Sequence, residues 1–316
     1  MNRRLEFISS SKLPFLFKCL FWWLFLLFGS TVAVGQIESL PEEVDFTSLS
    51  GQTKVHTNLN GQLQVNVSPK DILTFKRRGW VGYGDFGAKG DGKRDDMDAI
   101  AATHAFANRH GLPVKADKEA TYYIGGKERT AVIQTNTDFG TAAFLIDDTN
   151  VQNREASIFL VTSSLQPFEL KGISSLKRNQ QTIEASFPGP CLITVTNSQV
   201  KHYIRFGLNQ NNGAAQTDIF LVDKTGKVDM DAPILWDFDH ITQMSALPID
   251  EKPLTISGGR FTTIANQAES KYTYYSRNIL IKRSHVLIEG LEHRITGEGE
   301  QGAPYSGFLH ILDALM

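Results

Sequence analysis

The chain has 316 residues, 41% of them hydrophobic and 21% charged, with 32 basic and 34 acidic side chains and a formal charge of −2. That length suits one large domain or one domain with an insertion. A near-neutral chain without a basic block excludes nucleic acid as a partner class.

Residues 1–35 read as a secretory signal peptide. Arg3, Arg4, Lys12 and Lys18 precede the apolar run Cys19–Phe28, and Ala33-Val-Gly35 offers small residues for cleavage before Gln36. The run is shorter than a bilayer span, so no permanent membrane span is expected. Export to the periplasm, the cell surface or the medium is the expectation. Cleavage removes four basic residues and Glu6, which takes the formal charge from −2 to −5. It also leaves Cys191 alone, so no internal disulfide can brace the fold.

Residues 36–79 form a polar lead-in with no chemistry visible. Lys54–Leu59 and Gln62–Val67 alternate around Asn60-Gly61, a hairpin signal. A two-residue turn puts Val55/Leu59 and Leu63/Val65 on opposite faces, whereas a three-residue loop brings them together. Both registers stay open.

Trp80 to Gly111 reads as a short strand, a glycine-rich loop and an amphipathic helix. Gly84, Gly87, Gly90 and Gly92 permit positive φ. Asp95 is the expected N-cap, Asp98 faces the positive end of the helix dipole, and Ala99, Ile100, Thr103, Phe106 and Ala107 share one face. Gly111 before Pro113 stops the helix. Two nucleotide motifs overlap this loop and both fail on context. Gly82-Tyr-Gly84-Asp-Phe-Gly87 runs into more loop instead of a helix, and Gly87–Lys93 is followed by Arg94 where a phosphate loop needs Ser or Thr. No nucleotide is expected.

The run Asp85-Phe-Gly87-Ala-Lys-Gly90-Asp91-Gly92-x-x-Asp95-Asp96-x-x-Ala99-Ile100, followed by a helix and by Thr121–Gly126, resembles the N-terminal signature of the pectate-lyase-like right-handed parallel β-helix proteins. The resemblance implies an all-β coil over residues 80–316, capped by an α-helical segment at 80–126, in a carbohydrate-centred setting. It assigns Asp85, Gly87, Gly90, Asp91, Gly92, Asp95, Asp96 and Ile100 to the cap and no catalytic role to any of them. A stack of parallel strands ends in unpaired backbone groups above an apolar interior, which such a cap covers.

Beyond Gly111 the chain is strand-rich, with short β-type runs at 142–146, 157–161, 192–195, 202–206, 218–222 and 233–236 separated by Asp, Asn, Gly and Pro turns. Absence of a further long amphipathic helix excludes alternating βα architecture. Residues 150–247 are irregular, with a hairpin signal at Asp223–Gly226, and are expected to form a β-rich, antiparallel insertion. Regular rungs are expected over 253–316, where Ile256 to Ile281 spans 25 residues and Ile288 to Leu309 spans 21, close to one coil turn each. Met316 follows soon after a fresh rung begins, so a truncated coil is expected.

Chemistry is harder to place. Polygalacturonase relatives carry ordered Asn-Thr-Asp, Asp-Asp and Gly-His-Gly elements. Asn136-Thr-Asp138 and Asp147-Asp148 come too early here, without any Gly-His-Gly, and read as turn residues. Uronic-acid lyases need a base beside the substrate carboxylate and a cation to hold the enolate-like anion. The richest basic and aromatic cluster is Lys271, Tyr272, Tyr274, Tyr275, Arg277, Lys282, Arg283, His285, His293 and Arg294. Within it Arg277, His293 and Arg294 are the catalytic candidates, and Tyr274 and Tyr275 the sugar-stacking ones. The competing reading is a solvated rung edge. Asp229/Asp231 and Asp237/Asp239 could give oxygen ligands to a Ca²⁺ used by a lyase, although two aspartates make a poor site. No zinc spacing occurs among the eight histidines. The expectation is an exported protein acting on an acidic polysaccharide, by β-elimination ahead of hydrolysis, or a non-catalytic glycan-binding or scaffold β-helix.

Overall fold

The computed structural model describes residues 44–49, 51–151, 153–202, 213–269, 274–299, 302–312 and 314. The expected signal peptide, Lys271 and Tyr272, and most of the strand expected at 202–206 lie outside the described residues.

Strands β1 (Asp45–Thr47), β2 (Lys54–Thr57) and β3 (Leu63–Asn66) form a small sheet of order β1-β3-β2. Val55 lies opposite Val65 and Thr57 opposite Leu63. The loop is thus longer than either register weighed from sequence, and Val55 and Val65 share a face. Asn58 organises it by accepting from the Asn60 N–H at 2.9 Å and the Gln62 N–H at 3.0 Å, while Leu59 stands fully exposed.

Next comes α1 (Pro69–Arg78), a helix absent from the sequence reading. Its signals are nonetheless present. The Ser68 hydroxyl accepts from the Asp71 N–H, Pro69 occupies the first turn, and left-handed Gly79 returns its N–H to the Phe75 carbonyl. Phe75, Leu63, Val65 and Val67 join the same core as Ile100 and Phe106. The lead-in is therefore built into the main core.

Strand β4 (Val81–Gly82), a 3-10 turn (Tyr83–Phe86), β5 (Asp91–Asp95) and α2 (Met97–His110) follow. Ile100, Phe106 and the small residues between them are buried as expected. Gly87, Gly90 and Gly92 take positive φ and Gly84 does not. At Gly90 a Cβ would sit 2.8 Å from the Ala120 methyl, so a side chain is excluded twice over. The N-cap is Asp96, not Asp95. Asp95 still accepts from the Met97 N–H at 2.9 Å, whereas Asp96 turns back and accepts from the Lys89 and Gly90 N–H groups at 2.7 and 3.0 Å. Asp85 ion-pairs with Arg78 and accepts from the Gly82 N–H, and Asp91 accepts from the Lys93 and Arg94 N–H groups. These carboxylates are occupied in holding their own loop. Helix α2 is buried against it.

The remaining strands are β6 (Val114–Lys115), β7 (Thr121–Ile124), β8 (Ala131–Ile133), β9 (Thr137–Asp147), β10 (Phe159–Thr162), β11 (Phe168–Glu169), β12 (Cys191–His202), β13 (Ala214–Val222), β14 (Gln243–Pro248), β15 (Leu254–Ile264), β16 (Ile279–Lys282), β17 (Val286–Glu289), β18 (Glu292–Thr296) and β19 (Leu309–Ile311). Pro233–Trp236, expected as a strand, is a loop. One parallel sheet runs β4-β6-β9-β15-β17, with β7 and β18 also pairing along it; a second runs β8-β10-β16-β19. The chain visits the two alternately, from β8 to β9 to β10, then from β15 to β16 to β17 and β18 to β19.

That alternation corrects the spacing expected for one turn. Ile256 pairs with Ile288 and Ile279 with Leu309, intervals of 32 and 30 residues. The shorter intervals read from sequence join strands of different sheets, which hydropathy alone cannot tell apart. In-register pairing stacks Tyr122, Phe144, Phe261 and His293 in one inward row, with Phe144 and Phe261 stacked at 4.6 Å. Gly140, Gly258 and Gly290 stack at a corner, where a Cβ on Gly258 would lie 2.5 Å from the Gly140 carbonyl oxygen.

Strand β10 belongs to the second parallel sheet, so the antiparallel part begins after it and not at residue 150. It is a sheet of order β11-β14-β12-β13 around its own core of Ile193, Val195, Phe220 and Phe238. The turn expected at Asp223–Gly226 is present, with the Asp223 carboxylate accepting from the Thr225 and Lys227 N–H groups.

Candidate functional site

A cleft of about 740 Å³ opens where the antiparallel insertion meets the parallel sheets. Its coil wall is the turn Gln134-Thr135-Asn136 between β8 and β9. The Asn108 side chain of α2 accepts from the Gln134 N–H at 3.0 Å and donates to the Val132 carbonyl at 2.7 Å, so the helix holds this turn in place. Asn136 Oδ1 accepts from the Thr255 N–H at 2.9 Å and ties the turn to the next strand. The opposite wall comes from the insertion, through Pro188-Gly-Pro190 and the returning segment Pro248–Pro253.

Arg283 closes one side and joins the two parts. Its Nη1 lies 3.2 Å from Asp250 Oδ1 and its Nη2 donates to the Lys252 carbonyl at 2.7 Å. His285, two residues on, donates from Nδ1 to the Asp250 carbonyl at 2.5 Å. Burial lowers the Arg283 pKa, against the pull of Asp250. Three polar atoms around the cleft are buried without a hydrogen-bond partner: Thr135 Oγ1, Asp250 Oδ2 and Arg283 Nε. Buried polar atoms are nearly always paired, most often with ordered water where no protein partner is within reach.

The cluster expected from sequence is dispersed. Arg277 is 2% exposed, with Nε 2.9 Å from Asp148 Oδ1 and Nη2 donating to the Gly125 carbonyl at 2.8 Å. Tyr305 adds a bond to Asp148 at 3.1 Å. An enclosed guanidinium in a satisfied network cannot reach a polymer at the surface, so Arg277 serves the fold. Tyr275 is buried beside Tyr305. His293 is the exposed last member of the aromatic row; its ring stacks on Phe308 at 3.9 Å, Nε2 meets the Thr263 hydroxyl at 3.0 Å, and partial desolvation lowers its pKa. Tyr274 and Arg294 do face solvent, Arg294 being 4.0 Å from Glu292. Arg283 is the member that lines the cleft, and His285 bonds the Asp250 backbone beside it.

The aspartates weighed as catalytic or Ca²⁺ ligands are engaged locally. Asp138 accepts from the Gly140 N–H and Ser257 hydroxyl, and Asp147 from the Thr149 N–H and Tyr123 hydroxyl. That last bond pushes the Tyr123 pKa up to about 12. Asp229 accepts from the Asp231 N–H, Asp237 from the Arg178 N–H, and Asp239 pairs with Lys177. Among the described residues no three His, Cys, Asp or Glu side chains gather as a metal site, and no helix is long and apolar enough to cross a membrane. Sequence reading missed the cleft. Its one signal was the density of proline at 188–190 and 248–253.

No family model matches this sequence, and no curated protein matches it either. Among solved structures, the tailspike gp61 of Pseudomonas phage phi297 aligns over 68% of this chain and 38% of its own at 13% identity and a TM-score of 0.44. The tailspike protein gp49 of Pseudomonas phage LKA1 aligns over 71% of this chain and 44% of its own, at 15% identity and a TM-score of 0.35. The gp54 tailspike of Acinetobacter baumannii bacteriophage AP22, solved with A. baumannii capsular saccharide, aligns over 82% and 48% at 10% identity and 0.33. The chain thus spans less than half the length of each. These scores are too low for any property of those proteins to be carried over.

Proposed function

We propose that the chain is an exported right-handed parallel β-helix protein, of the pectate-lyase-like kind, that recognises a polysaccharide. The observation that carries this reading is the threading: one chain passes alternately between two parallel sheets, adding a strand to each per circuit. The signature at Asp85–Ile100 supports it, since its residues build the loop and helix lying against β8 and β4, the first strands of both sheets. A wide cleft lined by amides, hydroxyls and prolines is suited to a hydroxyl-rich polymer.

Cleavage of an acidic polysaccharide by β-elimination, ahead of hydrolysis, is the finer form of the reading. It needs a base and a cation at the substrate carboxylate. With Arg277 enclosed, the exposed candidates His293 and Arg294 are left to supply them, and His293 is held by Phe308 and Thr263. Recognition without cleavage therefore ranks first.

Incubation of the exported protein with a broad polysaccharide panel tests both. New absorbance from unsaturated uronate ends, lost in Arg294→Ala, supports the lyase. Retention on a glycan without product supports a binding or scaffold protein. Neither retention nor product across the panel sinks the polysaccharide reading.

A further inference from the structure

The cleft at the insertion has a chemistry of its own. Charge is balanced around it: Arg283 is paired with Asp250, and Lys252 follows Glu251 directly. A polyanion entering would find no surplus of positive charge. What the walls offer are the side chains of Gln134, Asn136, Ser164 and Gln166, which donate and accept neutral hydrogen bonds. Around them stand Pro113, Pro188, Pro190, Pro248 and Pro253. Proline has φ fixed in advance, so walls made of it lose little conformational freedom when a ligand arrives. Apolar ring faces beside amides and hydroxyls match a pyranose, which carries C–H faces and equatorial hydroxyls. The volume falls within the roughly 300–1,000 Å³ usual for ligand clefts.

Resting on the polysaccharide reading, we propose that this cleft binds an uncharged stretch of glycan, with the sugar's C–H face on the prolines and its hydroxyls on the amide and hydroxyl rim. Because the insertion supplies one wall and the coil the other, the site exists only where the two meet. The acidic substrate expected from the family resemblance is thereby replaced by a neutral one at this position.

The test is affinity electrophoresis of the whole chain through gels holding a neutral polysaccharide (galactomannan, xylan or dextran) or a polyuronate (polygalacturonate or alginate), at low and high salt. Retardation by a neutral polymer, insensitive to salt, is expected. Ser164→Trp, which fills the cleft from an exposed rim position, should weaken it by about tenfold or more, and Gln166→Ala by less. Lys70→Trp on the outer face of α1 should change nothing. Thermal unfolding of each variant guards against loss of fold, and the exposed Gln166 covers the case in which Ser164→Trp misfolds. Retardation that survives both cleft variants overturns the site while leaving polysaccharide recognition intact. Retardation by polyuronate alone, fading with salt, overturns the neutral assignment. No retardation by any polymer overturns both.

Discussion

The parallel sheets and the antiparallel insertion solve the same burial problem differently. In the parallel sheets a side chain meets its counterpart from the previous circuit, so Tyr122, Phe144, Phe261 and His293 form one row drawn from residues far apart in sequence. In the insertion, β12 lies between β13 and β14 and pairs antiparallel with both, so its partners run in opposite order and no row of equivalent positions is repeated. A stack transmits a local fault to the next circuit, whereas the antiparallel sheet, closed around its own core, confines it.

The sharpest way to break the comparison is the ion pair that links circuits. Arg277→Met leaves the buried Asp148 carboxylate without its counter-charge, with only the Tyr305 hydroxyl for company, and should cost about 3–5 kcal/mol by denaturant unfolding. Arg277→Met with Asp148→Leu should recover much of it, because no uncompensated charge remains; a double variant as unstable as the single would show that the guanidinium matters for packing.

Of similar size, Phe144→Ala and Phe220→Ala each remove a fully buried ring and should cost about 3–5 kcal/mol. Their reach should differ. Hydrogen exchange should accelerate in β7, β9, β15 and β18 for the first, and within β11–β14 alone for the second. Equal spread in both variants would erase the distinction between the two regions.

His104 sharpens it on the pH axis. The ring is fully buried on α2, with Nε2 2.9 Å from the Tyr83 hydroxyl and Nδ1 unpartnered, and burial pushes its pKa down to about 3. A depressed folded-state pKa means the unfolded chain takes up the proton first. Stability is complete above the ordinary histidine value of about 6.5 and falls by up to about 1.4 kcal/mol per pH unit below it, until the folded pKa is reached. Tyr83→Phe with His104→Leu should flatten the slope between about pH 6.5 and 5, where few carboxylates titrate. An unchanged slope would place the pH sensitivity elsewhere. Phe220 exchange in the insertion should be less affected, since His104 packs against Tyr83 and Phe159.

The smallest effect is at the cap of α1. Ser68→Ala removes the acceptor for the Asp71 N–H and should cost about 1 kcal/mol. A neutral result would mean that burial of Phe75 alone sustains the helix.

Local features were legible in the sequence by itself. The buried face of α2, the stop at Gly111, the positive φ at Gly87, Gly90 and Gly92, and most strands after residue 120 follow from periodicity and backbone freedom, which act over a few residues. The start of α1 is equally local: Ser68-Pro-Lys-Asp71 carries a cap and a first-turn proline. Which strand pairs with which was decided only in three dimensions: Ile256 meets Ile288 and not Ile281, because two strands of one circuit share hydropathy but lie in different sheets. Tertiary packing likewise decided that Arg277 is enclosed by Asp148 while Arg283 reaches the cleft. Two arginines six residues apart look alike in a sequence; the partners that set their burial lie 129 residues away for Arg277 and 31 for Arg283, beyond the reach of any local pattern.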